Sequence, residues 1–292
     1  MSVLIAGSTG LIGSVLVEHL SREGVAVRRL VRGPETRAGD IPWHPGDRLN
    51  PRVFDGVETV INLAGASIAQ IPWTAKRRAD ILESRIDSTR TLVTALRKNP
   101  GARLINASAV GIYGDRGDTE LSEESERGTG FLADVVEAWE HEALELGDSG
   151  RVVLVRTGLV VARGGAVAPL RLLTNLGLGG PLGSGRQWWP WISLRDEVRA
   201  IDFLRTADVA GAVNLVGPTP ATMSDLGRHL ARSLRRPFWF PAPAFALRAA
   251  LGQAGQELLL NSQKIVPSRL NALGFSFADE TVEAAVAQLM PR

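Results

Sequence analysis

Short apolar runs alternate with amphipathic runs over the first 160 residues of the chain. Five runs predict strands: residues 3–6, which are continuously apolar as a strand buried on both faces is, and then residues 25–31, 57–63, 103–108 and 152–157. Between them, three runs carry apolar residues at helical spacing: residues 11–20, 74–97 and 131–146. Strands that alternate with helices in this way predict an α/β fold, a doubly wound parallel sheet of the Rossmann type.

The second half of the chain has a different pattern. Residues 163–190 are rich in glycine and predict a loop-rich surface element, whereas 192–204 and 212–216 predict one more helix and strand. An aromatic connector at 237–243 is too apolar for a free linker, so we expect it to pack on the core. We predict a dinucleotide-binding domain and a smaller, loop-rich and helical substrate-binding region, the first at 1–162 with 192–216 returning to it, the second at 163–191 and 217–292.

Composition narrows the class of protein. The 292 residues are 45% hydrophobic and 22% charged, with a net charge of +2 and scattered basic residues, so we expect no nucleic-acid partner. The chain has no cysteine and four dispersed histidines, which predicts no metal site. It lacks both a signal-peptide pattern and an apolar run of the ~18 residues that cross a membrane. We expect a cytoplasmic monomer or homodimer that takes a small-molecule substrate and has no membrane partner.

The first strand leads directly into a glycine loop, Gly7-Ser8-Thr9-Gly10-Leu11-Ile12-Gly13, and then into a helix. Gly7 permits the tight turn, Gly10 lets the backbone approach phosphates, and Gly13 lets the helix pack on the strand. The free N–H groups and positive dipole at the start of the helix favour a pyrophosphate. The alternative is a plain strand–turn–helix corner, but strand, spacing and helix together favour a dinucleotide site.

The end of the second strand indicates which dinucleotide is bound. Sites for NAD commonly carry an acidic residue about 20 positions after the glycines, where it binds the ribose hydroxyl. This chain has Val31-Arg32-Gly33 there. Because a guanidinium suits a 2′-phosphate, we predict NADP(H) as the cofactor. The alternative is that Arg32 is only a solvated strand-end arginine.

Several later motifs resemble one protein family. The glycine spacing and Asn62-Leu63-Ala64-Gly65 resemble the extended and atypical short-chain dehydrogenases/reductases. More specific similarity follows at Trp73, Ser84-Arg85, 108–114, 131–133, 139–140, 156–158, 177–185 and 191–192. Together these segments resemble the atypical, NADP-binding epimerase-family branch over essentially the whole chain.

This resemblance implies a set of cofactor contacts. They are Gly7, Thr9, Gly10, Leu11, Ile12, Gly13, Arg32, Leu63, Ala64, Gly65, Arg85 and Val161. Arg85 could reach a phosphate or the substrate, or it could be a surface charge on its helix.

The catalytic pair typical of these reductases is missing from the sequence. That pair is a tyrosine acid/base with a lysine four residues later. The chain has one tyrosine, Tyr113, and three lysines, Lys76, Lys98 and Lys264, so the helix at 131–146 contains neither residue type. Phe131 or Leu132 stands at the tyrosine position.

Two hydroxyl groups remain as candidates for catalysis. Ser108 could donate a hydrogen bond to a substrate, or it could cap its strand. Tyr113 could donate a proton, or it could pack with its hydroxyl at the pocket wall. Acidic residues between 115 and 124 could supply a base, although such loops are commonly solvated.

The substrate contacts are predicted in the glycine- and tryptophan-rich segment that follows. Arg186 and Gln187 offer polar contacts there and Trp188 a flat apolar surface, with packing of the tryptophans as the alternative. Two functions therefore stay open. One is an NADP(H)-dependent oxidoreductase or epimerase-like enzyme acting on a small carbonyl or hydroxyl compound. The other is a non-catalytic NADP(H)-binding redox sensor or scaffold.

Overall fold

The computed structural model describes residues 2–33, 38–99, 101–147 and 152–290. Its strands are β1 (Ser2–Ala6), β2 (Ala26–Val31), β3 (Asp40–Pro42), β4 (Thr59–Asn62), β5 (Arg103–Ala109), β6 (Glu120–Leu121), β7 (Val152–Thr157), β8 (Leu159–Val161), β9 (Trp188–Trp189), β10 (Trp191–Ser193), β11 (Gly211–Leu215), β12 (Ala221–Thr222) and β13 (Lys264–Ile265). Its α-helices are α1 (Leu11–Arg22), α2 (Ala75–Leu96), α3 (Phe131–Leu144), α4 (Ala168–Asn175), α5 (Leu194–Thr206), α6 (Met223–Ser233), α7 (Ala244–Gly255), α8 (Ser268–Ala272) and α9 (Val282–Ala287). A π-helix, Gln256–Leu260, follows α7.

Seven strands form one parallel sheet in the order β3-β2-β1-β4-β5-β7-β11. The predicted doubly wound sheet is therefore confirmed. The chain builds outward from β1 in one direction through β2 and β3, and then in the other direction from β4 onward. Because all seven strands are parallel, their carboxyl ends share one edge, where proteins of this architecture bind ligands at the point of reversal.

The sheet is buried on both faces, which explains why its central strands are mainly apolar. Side chains of β1 alternate between the faces. Val3 and Ile5 belong to the core beneath α1 and α5, and Leu4 and Ala6 belong to the core beneath α2 and α3. Period-two alternation thus supplies apolar residues to two separate cores.

We call residues 163–191 and 217–290 the second lobe and the rest of the described chain the first lobe. The second lobe packs around the tryptophans of β9 and β10 together with α6 and α9. Its segment 163–190, predicted as loops, contains helix α4. That helix forms because residues 168–175 have no glycine and Pro169 lies in the first turn, where proline is tolerated. Among the residues described above, no helix has both the length and the apolar character needed to traverse a bilayer.

The aromatic connector at 237–243 differs from its prediction. Phe238 packs against α6, but Trp239 and Phe240 are 70% and 57% exposed. The connector keeps its place through backbone hydrogen bonds, because the Trp239 and Phe240 N–H groups both donate to the Gly179 carbonyl, at 2.8 and 3.0 Å. Its position therefore does not depend on burying these two aromatic rings.

Candidate functional site

The glycine loop fits closely between β1 and the loop that follows β4. Gly7 has φ +79°, and a Cβ atom there would lie 2.6 Å from the Leu63 carbonyl carbon and 2.8 Å from the Ala64 nitrogen. A Cβ atom on Gly13 would lie 2.2 Å from the Gly7 oxygen. Any larger residue would displace backbone at these two positions. The structure thus brings the predicted contacts of the glycine loop and of residues 63–65 together.

Polar groups at the start of α1 are left open for a ligand. Gly10 is the N-cap of this 12-residue helix, no side chain caps it, and its first turn carries no acidic residue. The Ser8 hydroxyl is buried and has no hydrogen-bond partner among the described residues. Buried hydroxyls are nearly always paired, and helix N-termini bind anions. The loop therefore fits the pyrophosphate of a dinucleotide.

Arg32 lies immediately after β2, at the edge of the sheet beside the glycine loop. It is exposed and forms no ion pair with a residue that the structure describes. Arg29, three residues earlier, is instead paired with buried Asp40 on the neighbouring strand. Of the arginines on β2 and directly after it, Arg32 is therefore the one that is free to meet a ribose 2′-phosphate.

Arg85 places a second cation at this edge. Its Nη1 donates to the Ala66 and Ile81 carbonyls, at 3.0 and 2.9 Å, and its guanidinium lies 5.0 Å from the Trp139 ring. Burial, and then the charge of Arg77, lower the Arg85 pKa to about 10. The side chain stays charged at neutral pH and has no carboxylate partner among the described residues. Arg85 therefore suits an anionic group such as a phosphate, which agrees with the prediction that it reaches a phosphate or the substrate.

The loop after β8 faces the glycine loop from the other side. A Cβ atom on Gly165 would lie 2.8 Å from the Leu11 side chain, and buried Val161 ends β8 four residues earlier. The predicted cofactor contacts therefore line one edge of the sheet. Their binding of a cofactor stays a prediction.

Ser108 and Tyr113 belong to a buried polar network below this edge. The Ser108 hydroxyl donates to Glu140, 2.5 Å away, and Glu140 accepts two hydrogen bonds from Arg156, at 2.8 and 2.9 Å. Arg156 also donates to the Tyr113 hydroxyl, which in turn donates to Asn214, at 2.9 and 2.7 Å. Both hydroxyl groups are consumed by partners inside the protein.

The position of Tyr113 differs from a pocket wall. Its side chain is fully buried, and burial raises its pKa more than Arg156 and Asn214 lower it. A phenol that is enclosed and hard to ionise makes a poor proton donor–acceptor. This arrangement favours structural roles for Tyr113 and, in the same network, for Ser108.

Glu257 is a functional candidate that the sequence reasoning missed. Its two carboxylate oxygens accept the N–H groups of Phe131 and Leu132, at 2.9 and 2.8 Å, and Gln253 donates to it at 2.7 Å. Gly130, the N-cap of α3, provides no side-chain cap of its own. A carboxylate from the second lobe therefore lies against the backbone of the two residues where the resemblance places the tyrosine of the reductases.

The second lobe holds Glu257 in place through the segment predicted to contact substrate. Buried Gln187 donates to the carbonyls of Leu182 and Leu259, at 2.9 and 2.8 Å, and Leu259 belongs to the same π-helix as Glu257. Such π-helical turns are frequent at functional sites. Gln187 thus supports the turn that carries the carboxylate.

The other two predicted substrate contacts lie apart from the buried network. The Trp188 indole donates to Asp118, at 2.7 Å, and Arg186 is exposed. Residues 186–188 therefore do not share one open pocket with Ser108 and Tyr113.

One sequence signal pointed to Glu257: it is the single acidic residue between Asp225 and Asp279.

Glu197 on α5 is a buried acid with an unusual environment. Its Oε1 accepts the Thr157 hydroxyl at 2.7 Å, and its Oε2 has no partner among the described residues. Desolvation by burial raises its pKa to about 8. The carboxyl group is consequently protonated in the folded protein at neutral pH.

Replacing Glu197 with glutamine is expected to stabilise the fold at alkaline pH. The folded pKa of about 8 exceeds the ordinary value of 4.5, so the unfolded chain loses this proton first. Stability therefore falls as pH rises from 4.5 to 8 and is then level, a loss on the order of 5 kcal/mol. Thermal unfolding from pH 4 to 9 should show a higher melting temperature for the variant than for the wild type at pH 8, and no difference at pH 4. The exposed Glu83→Gln is the control, and parallel curves for wild type and E197Q would contradict the prediction.

The sheet order, the glycine loop and the arginine at the end of β2 define the class: a dinucleotide-binding protein with the Rossmann fold. Residues 3–217 match the NAD dependent epimerase/dehydratase family, and residues 242–289 match a domain of unknown function, DUF1731. The chain belongs to the NAD dependent epimerase/dehydratase family and, within it, to the epimerase-family proteins that include SDR39U1.

Three similar proteins illustrate this relationship. Epimerase family protein Mb2239 of Mycobacterium bovis is 40% identical over 99% of this chain and 98% of its own. The crystal structure of human SDR39U1 with NADPH is 32% identical, with a TM-score of 0.90 over 99% of each chain. The UDP-glucose 4-epimerase of Thermus thermophilus, crystallised with NAD, is 19% identical with a TM-score of 0.76, over 99% of this chain and 98% of its own, and shares the fold alone. The predicted family resemblance is confirmed.

Proposed function

We propose that this protein binds NADP(H) along the glycine-loop edge and acts as an oxidoreductase or epimerase-like enzyme on a small carbonyl or hydroxyl compound. The observation that carries the proposal is the open anion cradle: the unpartnered Ser8 hydroxyl, the uncapped start of α1, and free Arg32. The NADPH bound to human SDR39U1 supports the same cofactor here.

Glu257 supplies the proton chemistry in this proposal. A nicotinamide cofactor supplies hydride transfer when bound. A carboxylate has about four lone-pair positions, and three on Glu257 are taken by Phe131, Leu132 and Gln253. The remaining position, on Oε2, can hold the proton that a substrate hydroxyl gives up on oxidation, or return it on reduction. Ser108 and Tyr113 then stabilise the ends of β5 and β7 rather than touch the substrate.

A non-catalytic NADP(H)-binding protein is the second candidate, and one contact favours it. The Phe131 ring packs edge-on against Trp73, with ring centres 5.3 Å apart, at the start of α3. Phe131 also donates its backbone N–H to Glu257, so bulky aromatic residues stand next to the carboxylate. A protein that only reads the redox state of its cofactor needs no room for a substrate there.

NADPH binding and turnover distinguish the candidates. Fluorescence titration with NADPH and NADH is followed by NADPH oxidation against a panel of aldehydes, ketones and keto sugars. We expect preferential NADPH binding and turnover of at least one carbonyl class. Tight NADPH binding without turnover across the panel would favour the sensor, and failure to bind NADPH would contradict both functions.

A further inference from the structure

The second lobe exposes a cluster of large apolar side chains. Ten such side chains are exposed among the described residues, and seven lie on α4, the turn after it, the connector and the start of α7. We call these seven the apolar surface: Leu172, Leu173, Leu176, Leu178, Trp239, Phe240 and Phe245. Exposed apolar clusters of this kind mark interaction sites.

The two segments that carry the apolar surface lie side by side. The connector runs beside residues 177–183, because Trp239 and Phe240 both donate to the Gly179 carbonyl and the Gly183 N–H donates to the Ala242 carbonyl. These bonds place the two exposed aromatic rings next to the end of α4. The surface is therefore one patch built from two separate segments of the chain.

Polar groups within the apolar surface are already satisfied. Trp239 is 70% exposed, yet its indole N–H donates to the Gly177 carbonyl at 3.0 Å. The ring consequently presents its apolar faces and no unpaired donor. Phe240 and Phe245, 57% and 74% exposed, carry no polar group at all. Exposed Trp and Phe rings beside basic residues suit the interface of a membrane.

The two segments that carry the apolar surface are basic. Residues 163–195 and 226–256 contain nine arginines and no aspartate or glutamate, and of these arginines Arg195 and Arg228 pair with Asp279 and Asp225 outside the segments. Arg232, Arg235, Arg236 and Arg248 are exposed, and none forms an ion pair with a described residue. Elsewhere the chain carries all of its 31 acidic residues. An anionic partner is therefore favoured at this surface.

We propose that the apolar surface docks on a membrane surface rich in anionic phospholipid. The rings of Trp239, Phe240 and Phe245 enter the boundary between headgroups and acyl chains, and the surrounding arginines meet lipid phosphates. A second copy of the chain fits less well, because a symmetric contact would bring the arginines of one face against those of the other.

The docking is peripheral and is independent of the proposed enzyme function. The expectation of no membrane partner rested on the length of the apolar runs, which concerns helices that span a bilayer. The apolar surface is instead assembled by tertiary contacts between segments that are remote in sequence. A protein can lie on a membrane without any segment that crosses it.

Vesicle sedimentation with the full chain tests the proposal. The vesicles are pure phosphatidylcholine, or phosphatidylcholine with about 30% phosphatidylserine, at low salt and at high salt. We expect at least roughly tenfold tighter binding to the anionic vesicles, weakened by salt. Trp239→Ser with Phe240→Ser, Phe245→Ser alone, and Arg235→Glu with Arg236→Glu should each lower binding severalfold or more. NADPH affinity reports that every variant is folded.

Matched controls lie outside the apolar surface. Leu144→Ser removes an exposed apolar side chain of α3, and Arg48→Glu with Arg52→Glu reverses two exposed arginines of the first lobe. Equal loss in these controls would contradict the assignment of the surface. No preference for anionic vesicles would overturn the proposal. The proposal would also be overturned if the chain formed concentration-dependent dimers that the Trp239 and Phe240 substitutions abolish, because a second copy would then be the occupant. Capture of an acidic protein without vesicle binding would overturn it as well.

Discussion

Glu257→Gln is expected to lower the turnover of any carbonyl substrate by about 10²-fold or more while NADPH affinity stays within a few fold. General acid–base catalysis by one positioned group contributes rate factors of about 10²–10⁴. A glutamine cannot hold the transferred proton. NADPH is proposed to bind through Ser8, Arg32 and the start of α1, none of which touches Glu257. Single-turnover rates and fluorescence titration measure the two effects separately.

Two controls separate this role from a structural one. Glu257 caps α3, so E257Q is also expected to lower the melting temperature slightly, and Glu257→Asp should restore part of the rate but not the full stability. Glu124→Gln, in the exposed acidic loop, should leave the rate unchanged. Tyr113→Phe removes a buried hydroxyl and should lower stability without a comparable loss of rate. If E257Q keeps wild-type turnover, or if Y113F loses it at unchanged stability, Glu257 is not the acid/base.

Arg32→Glu is expected to weaken NADPH binding by roughly 100-fold and to change NADH binding by only a few fold. A guanidinium forms strong, charge-assisted hydrogen bonds with a phosphate, whereas a carboxylate repels it. The reversed charge can accept hydrogen bonds from the ribose hydroxyls of NADH, as acidic residues do in NAD sites. Titration of wild type and variant with both nucleotides gives the ratio directly.

Arg28→Glu is the matched control for this substitution. Arg28 lies on the same strand, but it is four residues before the sheet edge and its guanidinium donates to the Asp55 carbonyl at 3.3 Å. It should leave the NADPH-to-NADH preference of the wild type intact. If R32E weakened both nucleotides equally, Arg32 would be only a solvated arginine and the NADP(H) assignment would lose its basis in this chain.

Much of the fold could be predicted because parallel strands leave a strong local signal. Strands buried on both faces are mainly apolar, so β1, β4, β5 and β7 each leave a run of apolar residues in the sequence. Helix α4 was missed because the glycines on either side of it dominate the local composition. The connector differs from its prediction for the opposite reason: its aromatic residues suggest burial, but of these only Phe238 packs on the core, and hydrogen bonds hold the exposed Trp239 and Phe240 in place.

Part of the candidate site could likewise be predicted from the sequence, and part of it could not. The glycine loop spans seven consecutive residues, and its conformation follows from steric limits at Gly7 and Gly13. The place of Arg32 beside the glycine loop follows from the pairing of β2 with β1, because Arg32 comes directly after β2. Neighbouring residues and regular geometry therefore suffice to predict where a dinucleotide is held.

The proton chemistry depends on contacts between distant parts of the chain. Glu257 caps a helix that begins 126 residues earlier, and Tyr113 meets Asn214 across 101 residues. The sequence does not show which partners a hydroxyl or carboxylate group has. Whether such a group is buried, hydrogen-bonded or exposed depends on how the two lobes pack. The sequence by itself determined the sheet and the phosphate cradle, because both are local. Only the tertiary structure decided that Ser108 and Tyr113 are enclosed, that Glu257 reaches α3, and that the apolar surface forms one patch.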